Sequence, residues 1–241
     1  MKAIILAAGK GSRLAPLTEH IPKPMIDIEG KPLLFYILKN LPDEIDEVII
    51  ITKHKGEVIK SYFGNRFEGK SVKYIDQTDK MSGTYAAVYS TKEYLQSGNV
   101  KDFEESFLVL GADDIFSKKE LENVIKNNLV ICYSISLLPE PDYLMLSIDE
   151  NKFVRGMRRA VGDELLKPWP IATGVYVLDN SFWNLEPKSF GSDVKREYGI
   201  PQTLLPHLSK QNFQAVEIQD WMQVNNFEQL NKIKLKYKNM L

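Results

Sequence analysis

"KAIILAAGKGSRL", residues 2–14, is an apolar run that gives way within a few positions to two glycines, a lysine and an arginine. A short continuous apolar run bounded by glycine reads as a strand buried on both faces. Such strands belong to parallel sheets covered by helices on each side. The rest of the chain repeats the pattern. Strand-like runs recur in "EVIIITK" (47–53), near "SVKYID" (71–76) and in "SFLVLGADD" (106–114). Between them lie helical patterns: "PLLFYILKNL" (32–41) with Pro32 at the first helical position, a short one around "GEVIKSYFG", and one opened by Ser82 and closed near Gly98. Alternation of this kind predicts an α/β fold with a doubly wound, mostly parallel sheet. Further on the pattern predicts a helix over 117–127, a strand over 129–138, a strand at "ATGVYVLD" (172–179), a helix near 200–210, a strand near "FQAVEI" and a helix from about 226. Mixed pairing is expected in that later part.

Composition narrows the classes of function. At 241 residues the chain is expected to form one domain over 1–241. With 31 Lys+Arg against 32 Asp+Glu, nothing suggests a general attraction to nucleic acid or to an anionic membrane. Any anion site must be local. The single cysteine, Cys132, lies in the apolar run "NLVICYSISLL", which excludes an internal disulfide framework and predicts a buried thiol. No apolar stretch approaches the roughly 18 residues of a membrane span, and "AIILAA" is short for a secretory apolar segment. A cytoplasmic location is expected. His20, His54 and His207 show no ligand-like spacing and receive no role. Trp169, Trp183 and Trp221 are expected to pack.

In an open α/β sheet, ligands gather beyond the carboxyl ends of the strands. Gly9 and Gly11 stand at that point after the first strand. Without side chains they let backbone N–H groups turn towards an anion, and Lys10 and Arg13 add cationic donors. Polyphosphate is the natural guest. The spacing departs from the dinucleotide fingerprint, whose third glycine would fall at Leu14, and no Gly-Lys-Ser/Thr follows at the spacing of a P-loop.

"LAAGKGSRLAPLT", followed by "PKPM" and "GKPLLFYIL", closely resembles the amino-terminal signature of the sugar-1-phosphate nucleotidylyltransferases, or nucleotide-sugar pyrophosphorylases. The likeness spans nearly the whole chain. "SGTYAA" (82–87) resembles the family's nucleoside-contacting segment, with Gln77 upstream as its base-reading glutamine. "VLGADDIF" is similar to the Gly-Asp motif that ends a metal-bearing strand, "LLKPWPIATGVYVLD" to the sugar-site pattern, and "WMQVNNFEQL" to the carboxyl-terminal motif with a second metal contact. The resemblance implies a Rossmann-like nucleotide-diphospho-sugar transferase fold, dependence on magnesium (Mg2+), and the reaction of a nucleoside triphosphate with a sugar 1-phosphate to give NDP-sugar and pyrophosphate. It also implies which residues act. Leu6, Ala7, Ala8, Gly9, Lys10, Gly11 and Ser12 would bind nucleotide together with Gln77, Gly83 and Thr84; Gly111, Gly174 and Glu197 would contact the sugar.

That inventory suits the chemistry. A phosphate nucleophile is already anionic at neutral pH and needs no general base. Its transition state needs charge neutralised and the reacting groups held in line. Arg13 and Lys10 would hold the leaving pyrophosphate, Lys23 the α-phosphate and Lys167 the incoming phosphate, with Asp113 binding the metal. The chain departs from the family pattern at Leu166, where an acid often precedes Lys-Pro, at "EYGIPQT" (197–203), which replaces a more usual Ile-Thr-Asp version, and at two positions of the metal motifs. Ala112 separates Gly111 from the acids, so that either Asp113 or Asp114 could be the ligand; Asp113 is the expectation. Gln223 stands where many members have an acid, leaving Asn225 as the expected second ligand. "LAAG" rather than "LAGG" is associated in the family with pyrimidine nucleotides, so UTP is expected first, then CTP or dTTP. A cytidylyltransferase acting on phosphocholine, a metal-dependent glycosyltransferase of related fold and a catalytically silent regulatory homologue are the alternatives, and assembly into a homo-oligomer is left open.

Overall fold

The computed structural model describes residues 1–78, 81–97, 106–136, 143–192 and 196–238. Its described strands are β1 (Lys2–Leu6), β2 (Asp27–Ile28), β3 (Lys31–Pro32), β4 (Glu47–Thr52), β5 (Arg66–Phe67), β6 (Lys70–Asp76), β7 (Phe107–Gly111) and β8 (Asp114–Phe116). They continue with β9 (Val130–Ser136), β10 (Leu144–Ile148), β11 (Val154–Arg159), β12 (Trp169–Leu178), β13 (Ser189–Gly191), β14 (Arg196–Tyr198), β15 (Gln214–Glu217) and β16 (Trp221–Gln223). The described α-helices are α1 (Leu17–His20), α2 (Leu33–Lys39), α3 (Gly56–Phe63), α4 (Thr84–Tyr89), α5 (Lys92–Gln96), α6 (Lys118–Val124), α7 (Ile200–Leu204) and α8 (Phe227–Lys238).

β1 lies between β4 and β7 and runs parallel to both, with Ile4 opposite Ile49 on one side and Val109 on the other. β4 pairs in parallel with β6, whereas β12 joins β7 antiparallel, so the sheet is mixed but mostly parallel at its centre. Alternation along these strands feeds two hydrophobic clusters. Ala3, Ile5, Val48, Ile50, Leu108 and Leu110 enter one, packed with Leu34 and Ile37 of α2, Ile59 of α3 and Leu230 of α8. Ile4, Ile49, Ile51 and Val109 enter the other, with Tyr85 and Val88 of α4 and Leu204 of α7. Successive side chains of a strand point to opposite faces, so a strand covered on both faces must be apolar at every position. Cys132 is fully buried in the first cluster.

Several local expectations are corrected. The "SFLVLGADD" run is two strands, because the chain turns at Ala112–Asp113 and Asp114 begins β8, which pairs antiparallel with β16. The helix expected from Ser82 starts at Thr84 and breaks after Tyr89: Ser90 and Thr91 turn their hydroxyls back on the carbonyls of Ala87 and Val88 at 2.6 and 2.7 Å. Hydroxyls that bond the preceding turn compete with helix propagation. Its expected end, Gly98, lies outside the described residues. Ser82 does not cap; its Oγ donates to the Arg196 carbonyl at 3.0 Å. The helix near 200–210 is α7 followed by a 3-10 turn at Leu205–His207.

α4 is preceded by Gly83, at φ 99° and ψ 176°, a conformation open almost only to glycine. A Cβ there would lie 2.4 Å from the backbone oxygen of Tyr198, whose N–H donates to Ser82 O at 2.7 Å. Thr84 Oγ1 accepts from Ile200 N–H at 3.0 Å, so the start of α4 and the start of α7 are fastened together. Gly83→Ala is expected to cost about 1–3 kcal/mol, read as a lower midpoint of urea unfolding; a parental midpoint would show that this contact can relax freely.

Candidate active site

β1 and β7 end side by side, Leu6 opposite Gly111. The pairing continues past both ends: Ala7 N–H donates to Ile51 O at 2.9 Å and Ala112 N–H to Leu6 O at 3.2 Å. The glycine loop therefore leaves the sheet at a fixed point. Gly11 turns it with φ 66°, and a Cβ there would come within 2.9 Å of Lys23 Cβ and 3.0 Å of Thr18 Cγ2. Its carbonyl accepts from Thr18 Oγ1 and Leu14 N–H, each at 2.9 Å. Only glycine fits a turn of this hand pressed against the stem of Lys23. The loop opens on a cleft of about 940 Å³, with Leu6, Ala8, Gly9, Lys10, Gly11 and Ser12 along this wall. Ala7 is in the core, not on the wall.

The two acids after β7 part company. Asp113 Oδ2 accepts from Lys23 Nζ at 2.5 Å, and the same ammonium donates to Asn225 Oδ1 at 2.7 Å. Asp114 is buried at the floor of the cleft beside Asp113, accepting from the indole N–H of Trp221 at 3.0 Å and from the Gln223 side chain. Burial first, and then the neighbouring charge of Asp113, push the Asp114 carboxyl up to about 8, against the pull of these donors and of Lys23. Trp221 is thus more than packing. The antiparallel pairing of β8 with β16 sets Gln223 opposite Asp114, and one step on Val224 N–H donates to Asp113 O at 3.0 Å. This extension carries Asn225 to Asp113. Asn225 N–H donates to Gln229 Oε1 at 2.7 Å, while Asn226 Oδ1 accepts from Gln229 N–H at 2.9 Å at the start of α8. Of the two adjacent asparagines, Asn226 caps a helix and Asn225 faces Lys23.

An ammonium held between a carboxylate oxygen and an amide oxygen marks a place where positive charge is favoured. An all-oxygen donor pair fits a hard divalent cation that takes its other ligands from water and phosphate. Among the described residues no group of three or more His, Cys, Asp or Glu side chains forms a complete metal cage.

The remaining walls gather many of the other expected residues. Gln77, Gly83 and Thr84 line one end of the cleft; Gly111, Asp113, Asp114, Gly174 and Glu197 are among those that line the rest. Gln77 Nε2 donates to Met81 O and Gly83 O at 3.3 and 3.4 Å. Arg13, Lys23, Lys167 and Asn225 are not on the walls of the cleft. Lys23 and Asn225 lie just behind Asp113, whereas Arg13 and Lys167 are exposed, the first on the 3-10 turn Ser12–Leu14 and the second after the turn Gly162–Leu166. The cleft also includes Lys53, His54, Arg159 and Phe190, which no motif pointed to. Lys53 and His54 follow β4, in register beside β1, so the rule that ligands gather at strand ends applied to them equally.

A family model described as nucleotidyl transferase matches residues 2–131. The bifunctional protein GlmU of Methanocaldococcus jannaschii is 35% identical over 189 residues, which are 78% of this chain and 42% of that protein. The D-glycero-alpha-D-manno-heptose 1-phosphate guanylyltransferase of Campylobacter jejuni subsp. jejuni serotype O:2 is 32% identical over 186 residues, 76% of this chain and 78% of that one. The chain thus spans less than half the length of the GlmU proteins it matches. A crystal structure of UDP-glucose pyrophosphorylase complexed with UDP-glucose shares the fold, with a TM-score of 0.80 at 18% identity over 100% of this chain and 99% of that one. No described helix is long and apolar enough to cross a membrane. The chain belongs to the nucleotidyl transferase family, the sugar-1-phosphate nucleotidylyltransferases that its amino-terminal motifs resemble.

Proposed function

We propose that this protein joins a nucleoside triphosphate to a sugar 1-phosphate, releasing pyrophosphate and forming an NDP-sugar. The observation that carries the reading is one cleft with the glycine loop on one wall and Asp113, backed by Lys23 and Asn225, on another. An oxygen of the sugar phosphate attacks the α-phosphorus, a P–O bond forms, and the bond to the β-phosphate oxygen breaks. The reaction asks for no proton transfer, only for two anions to be brought together and the growing negative charge on the leaving group to be met.

The loop suits the triphosphate. Its backbone and Lys10 face the cleft at the carboxyl end of β1, and Lys23 stands behind it. Asp113 and Asn225 are the proposed holders of Mg2+, which when bound supplies charge neutralisation between the two phosphates. Arg13 is assigned to the leaving pyrophosphate and Lys167 to the sugar phosphate on the motifs they occupy. Gly111, Gly174 and Glu197 are assigned to the sugar, with the nucleoside at Gln77, Gly83 and Thr84. Because the Gln77 amide nitrogen is engaged by two backbone carbonyls, its oxygen is the atom it can offer a base. An acceptor suits the N3–H of uracil or thymine and not the bare N3 of cytosine. UTP is the first nucleotide to try, on the amino-terminal motif, with GTP, whose N1–H suits the same acceptor, as the competing arm because the heptose 1-phosphate relatives are guanylyltransferases.

Pyrophosphate release from a matrix of nucleoside triphosphates against phosphorylated acceptors is expected for one triphosphate with a sugar 1-phosphate; activity confined to phosphocholine, or sugar transfer without pyrophosphate, would overturn the reading. On the productive pair, Arg13→Ala is expected to lower kcat about 100-fold with an unchanged unfolding midpoint. Asp113→Asn should raise the Mg2+ concentration for half-maximal rate about tenfold or more. A variant at position 113 with parental Mg2+ response would remove Asp113 from the site.

A further inference from the structure

A side-chain amide is a ligand with two nearly isosteric ends, only one of which can face a cation. Asn225 is buried, and the group opposite it, the Lys23 ammonium, can only donate. The oxygen must therefore lie on that side, as it does at 2.7 Å. Turned by half a rotation, Asn225 would point two N–H donors at Lys23 and beside Asp113. What holds the amide the right way round lies behind it. Asn225 Nδ2 donates to the hydroxyl of Tyr143 at 3.1 Å, and that hydroxyl donates its one proton to Gln223 Oε1. Gln223 in turn donates to Asp114, which also takes the Trp221 N–H. Each donor in the chain meets an acceptor, and its polarity is set at Lys23 and at Trp221, groups that can only donate. With its proton committed to Gln223, the Tyr143 hydroxyl can only accept from Asn225.

We infer that Tyr143 is a positioning residue, whose hydroxyl fixes the rotamer of Asn225 so that the amide oxygen faces the cation position beside Asp113. This rests on the metal role proposed above for Asp113 and Asn225. Tyr143 touches neither of the two oxygens that hold the Lys23 ammonium; it acts through Asn225. Its ring lies 6.0 Å from that of Trp221, edge to face, a packing contact that phenylalanine would keep.

The consequence is separable from packing because a carboxylate has no wrong end. In an Asn225→Asp background both oxygens are equivalent, and the orienting hydroxyl loses its purpose. The test is a double-mutant cycle of Tyr143→Phe and Asn225→Asp, read as Mn2+ affinity from the electron paramagnetic resonance signal of free Mn2+, with circular dichroism to confirm folding. In the parental background Tyr143→Phe is expected to weaken Mn2+ binding about tenfold, as loss of a ligand-orienting partner does. In the Asn225→Asp background it is expected to change the affinity by less than about twofold, the residual scale of non-coupled pairs. Equal losses in the two backgrounds would assign Tyr143 to packing alone and overturn the inference, as would parental affinity in the single variant. A parental protein that holds no Mn2+ would overturn the metal reading itself and the inference with it.

Discussion

One ammonium group joins segments that are 90 and 202 residues apart in the chain. Lys23 reaches Asp113, at the end of the central strand pair, and Asn225, at the start of the last helix. Its side chain is only 12% exposed, so the contact with Asp113 is not the loosely held surface pair whose worth is close to zero. Removing one partner of such a pair leaves the other charge poorly solvated. The stem of Lys23 also packs against Gly11, so the cation fixes the glycine loop from behind while its head fixes the acids.

That convergence depends on two ladders. The first is the parallel register of β1 with β7, which brings Leu6 level with Gly111 and so sets the glycine loop beside the acids. The second is the three-residue pairing of β8 with β16, continued by the bond from Val224 N–H to Asp113 O. The first is strong because both strands are buried on both faces. The second is short, but it packs against α8, whose Leu230 and Ile233 enter the same hydrophobic cluster as Ile115 and Phe116. A small ladder pinned to a large core can therefore hold ligand-bearing side chains as steadily as a long one.

The parts legible in the sequence were those encoded by a repeating pattern. Residues Lys2–Leu6 and Glu47–Thr52 are apolar at nearly every position because both faces are covered, and the glycine loop follows where the first run ends. β16 escaped notice because three residues are too few to show a period. The break of the expected long helix at Ser90 and Thr91 depends on hydroxyl bonds to the preceding turn, which hydrophobic spacing does not register. Tyr143 was invisible for another reason: Gln223 and Asn225, which its hydroxyl meets, stand 80 and 82 residues away, and no local pattern reports such a meeting. Of the three histidines set aside, His54 lines the cleft, because position at a strand end matters more than spacing to other histidines.

The glutamine at position 223 now has a physical reason. Pairing of β16 with β8 places it against Asp114, a carboxyl that is already buried and already beside the charge of Asp113. A second acid at 223 would set another negative charge against a carboxyl that burial already disfavours as an anion, whereas an amide supplies Asp114 with a donor and Tyr143 with an acceptor. Two roles are thus divided in this chain: Gln223 serves the buried carboxyl, and Asn225 turns its oxygen to the Lys23 ammonium. The glutamine at 223 thus leaves the Asn225 oxygen free of Asp114 and beside Asp113, where both hold Lys23.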